Sequence, residues 1–150
     1  MTAMTQPRLD QTLTYRLHLL HKVTDLKSQQ SYLSDTGLTM SDGRCLTAVG
    51  TFEPMSVNEL AHYANLNKGQ ASRAAQSLAD QGLVRKVDSA SDGRGVTLSL
   101  TPLGRKAWKR TMDMVHRRNG EIFGCLNKAE LRQFESLLDR LIAHNRNALV

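Results

Sequence analysis

The 150 residues predict a mainly α-helical chain with one small antiparallel β-hairpin. Three observations carry that reading. Two short stretches near the middle each place apolar residues at i, i+3, i+4 and i+7, and a tight turn joins them. Two short apolar runs follow directly, separated by a polar loop that contains an Asp-Gly pair. Longer helical stretches at both ends carry apolar residues on more than one face, which needs more than one packing partner. The composition agrees: 40% hydrophobic, with one Trp, three Tyr, three Phe and three Pro, in a chain long enough to bury a core without disulfides or metal.

From Leu9 to about Leu33, Leu13, Leu17, Leu20 and Val23 form a stripe that Tyr15, Leu19 and Leu26 widen. Asp10 is the expected N-cap, and Ser34-Asp-Thr-Gly37 the expected break. Thr39-Met-Ser-Asp42 reads as a capping box opening a short helix through Cys45, Leu46, Val49 and Gly50, which Gly43 weakens locally. Glu53-Pro54 ends it. Ser56-Val-Asn-Glu59 is a second capping box, followed by the single-face stripe Val57, Leu60, Ala61 and Ala64. After the turn Asn65-Leu-Asn67, Asn67 can cap again with Gln70 three residues on. Ala71, Ala74, Ala75 and Leu78 then repeat the stripe, and Gly82 sits where a C′ glycine would close the helix. Two short helices packed through small residues across a tight turn form a helix-turn-helix.

Leu83–Val87 and Gly95–Leu100 read as strands, with Val96, Leu98 and Leu100 alternating, joined by the loop Asp88–Arg94. The hairpin directly after the second helix is a wing. Thr101-Pro102 is an N-cap with proline at N1. It opens a long helix with Trp108, Met112, Val115, Ile122 and Leu126 on one stripe. Asn127-Lys-Ala-Glu130 caps a last helix whose Leu131, Phe134, Leu137, Leu138, Leu141 and Ile142 again spread beyond one face.

Twenty Lys and Arg against fourteen Asp and Glu leave +6, which points to a polyanionic partner without choosing among DNA, RNA and membrane. The surplus is uneven: residues 1–38 hold four basic and three acidic side chains, residues 39–104 six and six, residues 105–150 ten and five. The C-terminal run Arg105, Lys106, Lys109, Arg110, Arg117 and Arg118 reads as a solvated helix face. With Ala71, Ala74, Ala75 and Leu78 inward, the helix that follows Asn67 turns Gly69, Ser72, Arg73 and Gln76 outward, flanked by Gln70 and Ser77, with Lys68 at the helix entry. Arg can grip guanine O6 and N7, Gln can pair with adenine and Ser reaches either. Gly69 permits close backbone approach, and the helix N-terminus favours a phosphate. The one acid on this arc, Asp80, is at the far end. At the wing, Asp92 can orient Arg94 into a narrow minor groove, or the two can form a local ion pair that steadies the loop.

The run Ser56-Val-Asn-Glu-Leu-Ala61, then Ser72-Arg73, Leu78, Gly82-Leu-Val-Arg85, Asp92-Gly-Arg94 and Leu100-Thr-Pro-Leu-Gly104 resembles the MarR family of bacterial transcription regulators. The D-x-R wing followed by L-T-x-x-G is its more specific part, and the match runs from about Leu38 to Arg105. The resemblance implies a winged helix-turn-helix at residues 39–104, flanked by dimerisation helices at 1–38 and 105–150 that interlock between two subunits. It implies a homodimeric repressor on a palindromic operator in double-stranded DNA, with Arg94 as the minor-groove arginine. It also implies release by a small aromatic acid, such as a hydroxybenzoate, hydroxycinnamate or hydroxynicotinate. The residues that could serve the effector pocket are Tyr15, His18, His21, Arg44, Met112 and His116, with Arg44 or a histidine meeting the carboxylate. Each histidine has the plainer reading of a surface helix residue, and Met112 and Trp108 of core.

Other sensing modes are weaker. His18 and His21, at i and i+3, with His116 could bind a metal, but no ligand cluster of clear spacing supports it, and no metal or cofactor is expected. Cys45 and Cys125 lie 80 residues apart without CxxC spacing, which suggests a reducing compartment. Both fall by apolar positions where an inert thiol is usual. The N-terminus lacks an apolar signal segment and no stretch approaches a membrane span, so a cytoplasmic protein is expected. An enzyme is not expected, since GxSxG, HExxH and glycine-rich phosphate motifs are missing. The alternatives are a winged-helix protein-interaction module, which need not keep acids off its second helix, or a thiol- or metal-sensing regulator of the same fold.

Overall fold

A computed structural model describes residues 5–89 and 95–146 of the chain. A 3₁₀ turn at Leu9–Gln11 leads into α1 (Leu13–Thr36), followed by α2 (Met40–Phe52), α3 (Val57–Tyr63), α4 (Lys68–Asp80), β1 (Val84–Ser89), β2 (Gly95–Leu100), α5 (Pro102–Ile122) and α6 (Lys128–Arg146). The mainly helical class with one antiparallel hairpin is as expected. Residues through Val115 form one compact unit and those from His116 a second. No helix among the described residues is long and apolar enough to cross a membrane.

Local capping chemistry accounts for most element starts. The side chains of Thr39, Ser56 and Asn67 accept from the backbone N–H of Asp42, Glu59 and Gln70, as the spacing predicts. Gln70 returns a contact to the Asn67 N–H, completing the box at the start of α4. Asn127 and Glu130 do the same for α6. The expected Asp10 cap is not formed: Asp10 lies inside the 3₁₀ turn and pairs with Arg8 at 3.2 Å. The hydroxyl of Thr12 caps α1 instead, toward Tyr15. Ser34, Asp35 and Thr36 remain helical, and the turn comes only at Gly37, whose φ of 70° is the left-handed conformation that suits glycine.

The winged helix has a closed core of its own. Ala71, Ala74, Ala75 and Leu78 of α4 are buried with Cys45, Leu46 and Val49 of α2, Leu60 of α3, and Val84, Leu98 and Leu100 of the hairpin. Small residues set how closely the helices approach. A side chain at Gly43 would overlap the Tyr32 ring, and one at Gly50 would overlap Trp108. These contacts explain glycines that cost α2 intrinsic stability. The hairpin pairs Val84 with Leu100 through Ser89 with Gly95, so β1 begins one residue later than the sequence suggests. The Leu83 carbonyl turns instead to the Thr101 N–H at 3.1 Å. Thr101 Oγ1 donates to the Gly82 carbonyl and accepts from the Gly104 N–H. A Cβ at Gly104 would overlap the Leu83 carbonyl oxygen, which is why the L-T-x-x-G run needs its last residue. Met55 bridges to Leu98, adding a short third edge to the wing.

In the second unit, Leu126, expected to extend the α5 stripe, lies beyond the helix end in the turn, its N–H bonded to the Phe123 carbonyl. Phe123 meets Phe134 of α6 at 5.8 Å between ring centres.

Candidate nucleic-acid interface and ligand cavity

Along α4 the expected outward arc is outward: Lys68, Gly69, Gln70, Ser72, Arg73 and Gln76 are all exposed, opposite the buried alanines. Their states differ. The Gln70 amide serves the capping box. The Arg73 guanidinium folds back beside Gly69, with Nη1 3.4 Å from where a Cβ there would stand. Gln76 is held at both ends, its Nε2 donating to Asp80 at 2.7 Å and its Oε1 accepting from Lys86 of β1 at 2.6 Å. Gln76 must therefore release Asp80 and Lys86 before it can offer both groups to adenine. Asp92 and Arg94, expected at the wing, lie outside the described residues.

Sequence reasoning missed the fastening of α4. Asp42, in the first turn of α2, accepts from Ser77 Oγ at 2.6 Å and from Gln81 Nε2 at 3.4 Å. Glu53, at the end of α2, accepts from the Leu100 N–H at 2.7 Å and from Arg105. Both ends of α2 are thus tied by acids to parts of the winged helix far along the chain.

The other side of α2 faces a cavity of about 510 Å³. His21 of α1 lines it, with Arg44, Thr47, Ala48, Thr51 and Phe52 of α2, Tyr63, Ala64 and Asn65 at the end of α3, and Met112 and Val115 of α5. Of the six side chains expected for an effector pocket, His21, Arg44 and Met112 line this cavity. Tyr15 does not: it sits nearly two helical turns before His21, beside Arg8, Leu9 and Asp10 in a separate hollow. His18 is exposed on α1 one turn before His21 and is not in the lining, and His116 falls in the second compact unit. Thr47, Thr51 and Phe52 were missed, although Arg44 points to them: positions 44, 47, 48, 51 and 52 are i, i+3, i+4, i+7 and i+8 on one helix face.

Phe52 and Tyr63 stack at 4.3 Å with their planes 13° apart, and His62 meets Tyr63 edge-on. Thr47 Oγ1 donates to the Arg44 carbonyl and Thr51 Oγ1 to the Thr47 carbonyl, both at 2.8 Å. Their hydroxyl protons are committed, which leaves lone pairs to offer. Asp25, just behind the lining, accepts from Arg44 Nη2 at 3.3 Å and pairs with His21 Nε2 at 3.0 Å. Burial raises the phenol of nearby Tyr32 above its ordinary value, with Arg44 opposing the shift and Asp25 adding to it.

The two thiols differ sharply. Cys45 is completely buried, and burial, with Asp42 adding, pushes its pKa up to about 12. It stays a thiol at neutral pH, without the thiolate that redox sensing uses. Cys125 is exposed. Among the described residues, no three His, Cys, Asp or Glu side chains group as metal ligands would.

Comparison with known proteins follows the same outline. Residues 36–95 match the model of the MarR family. The HTH-type transcriptional repressor Rv2887 of Mycobacterium tuberculosis is 29% identical over 109 residues, covering 73% of this chain and 78% of that protein. A crystal structure of Rv2887 in complex with salicylic acid superposes with a TM-score of 0.71 at 28% identity, over 88% of this chain and 97% of that one. A MarR/EmrR family transcriptional regulator from Acinetobacter sp. ADP1 shares the fold at a TM-score of 0.84 and 21% identity, over 94% of this chain and 99% of that one.

Proposed function

We propose that the chain is a transcriptional regulator of the MarR family, as its match to that family's model over residues 36–95 and its likeness to Rv2887 support, and that it is a homodimeric repressor. It reads a palindromic operator with α4 and the wing, and releases it when a small aromatic acid enters the cavity beside α2. The observation that carries the DNA reading is the face of α4: a polar, exposed arc from Lys68 to Gln76 with its one acid, Asp80, at the far end and held by Gln76. Arg73 supplies the guanine-reading group, and Arg94 the minor-groove contact. The apolar side chains exposed along α1 and α6 supply the subunit interface.

The cavity suits a hydroxylated aromatic acid. Arg44 offers a charge for the carboxylate, the Phe52–Tyr63 stack a flat wall for the ring, and the Thr47 and Thr51 oxygens acceptors for a phenolic hydroxyl. The salicylic acid complex of Rv2887 supports that ligand class.

Gel-shift titration against the DNA upstream of its own gene tests the reading. Arg73→Ala and Arg94→Ala should each weaken binding by about 10- to 100-fold, in line with 1–3 kcal/mol for a base-reading arginine, while both variants stay dimeric. Affinity should also fall by orders of magnitude between about 50 and 200 mM salt. Wild-type affinity in both variants would sink the groove assignments.

A further inference from the structure

We propose that Asp25 sets the anion selectivity of the cavity: it is an internal carboxylate that occupies Arg44 and that an incoming acid must displace. The inference rests on reading the cavity as the effector site. Among the lining residues Arg44 is the one with a permanent charge, and His21 is the other that can carry one. Both are already turned toward the same carboxylate. Asp25 Oδ1 lies 3.3 Å from Arg44 Nη2, and Asp25 Oδ2 lies 3.0 Å from His21 Nε2. The carboxylate is itself three-quarters buried, at 24% side-chain exposure, so water screens it only in part.

An acid that enters therefore meets an arginine that is not vacant. It can share Arg44 with Asp25, which places two like charges within a few ångströms, or it can push Asp25 aside. Either route costs binding free energy that a neutral ligand of the same shape does not spend. Asp25 lies outside the cavity lining, so it acts on the ligand's charge and not on its fit.

Calorimetric titration of the full-length protein with salicylate and with uncharged salicylamide separates these effects. Asp25→Asn keeps the size of the side chain and removes its charge. It should bind salicylate about tenfold more tightly than wild type, with salicylamide affinity unchanged. Asp25→Ala, with a wild-type melting profile as the check on folding, should move in the same direction. If wild type binds salicylate, Arg44→Met abolishes binding and Asp25→Asn binds as wild type does, the effector site stands and the role of Asp25 falls. Equal gains for salicylate and salicylamide would place the effect in cavity shape and overturn the proposal. If neither wild type nor Asp25→Asn binds salicylate, the proposal and the effector reading fall together.

Discussion

In α4 the four apolar side chains that define its inner face, Ala71, Ala74, Ala75 and Leu78, are at most 3% exposed, whereas along α1 Leu13, Leu17, Leu20 and Val23 stand between 43% and 74% exposed. Both stripes follow helical spacing. The α4 stripe covers one face and is satisfied by α2 and α3 within one chain. The α1 stripe runs round more than one face, and only Tyr32 near its end is buried. In the second unit, α6 likewise leaves Leu137, Leu141 and Ile142 about half exposed. Stripe width therefore separates a region that completes its own core from one whose apolar surface needs a further partner, which the proposed homodimer supplies.

The largest test of that contrast is thermodynamic. Leu46→Ala, deep in the winged-helix core, should lower the unfolding free energy by about 2–5 kcal/mol, at every protein concentration. The double substitution Leu17→Glu and Leu20→Glu should act differently. The wild-type unfolding midpoint should rise with protein concentration, as it does for a dimer, and the double variant should lose that dependence and sediment as a monomer. A double variant that keeps both its size and its concentration dependence would remove α1 from the interface.

The cysteines place one probe in each region. Native protein at pH 8 should react with a thiol reagent at Cys125 and stay protected at Cys45. The raised Cys45 pKa has a stability consequence whose sign is definite. In the folded chain the thiol keeps its proton up to about pH 12, while in the unfolded chain it loses it near 9. The stabilisation is present in full below pH 9 and declines as pH rises from 9 toward 12, at up to about 1.4 kcal/mol per pH unit for one proton. Tyr32, also raised by burial, contributes a loss of the same sign at high pH. The difference in slope between wild type and Cys45→Ala isolates the thiol. Equal slopes would mean that Cys45 ionises in the native state as readily as in the unfolded one.

How much was legible follows from the range of each interaction. Helix starts at Thr39, Ser56, Asn67 and Asn127 could be read because a cap and its partner are three residues apart. The α4 face could be read because helical period alone sorts Ala71 from Arg73. The cavity could be read only in part, since four separate elements line it. Arg44 marked its own face of α2, but nothing local in the sequence says that Tyr63 and Asn65 come to meet it. Contacts between residues far apart in the sequence were invisible for the same reason: Asp42 with Ser77, 35 residues on, and Asp25 with Arg44, 19 residues on. Asp10 was misread because the sequence pattern does not reveal the 3₁₀ turn at Leu9–Gln11, which takes up Asp10 ahead of the helix and leaves Thr12 as the cap.

That misread cap supplies the finest comparison between the two regions. Asn67 forms a closed box, with its Oδ1 2.8 Å from the Gln70 N–H and Gln70 Oε1 3.2 Å from its own N–H. Thr12 reaches the Tyr15 N–H at only 3.4 Å, and its hydroxyl proton goes to the Leu9 carbonyl at 2.7 Å. A longer bond on an exposed helix start contributes less, and α1 can fray at that end without disturbing the core. Asn67→Ala should therefore lower stability by about 1 kcal/mol, within the usual range for a lost cap. Thr12→Ala should lower it by no more than a few tenths of a kcal/mol. Urea midpoints measured at one protein concentration, with an unchanged slope, give both values. A Thr12→Ala cost as large as that of Asn67→Ala would show that the start of α1 is as tightly coupled to folding as α4, and the contrast between the two regions would fail at that point.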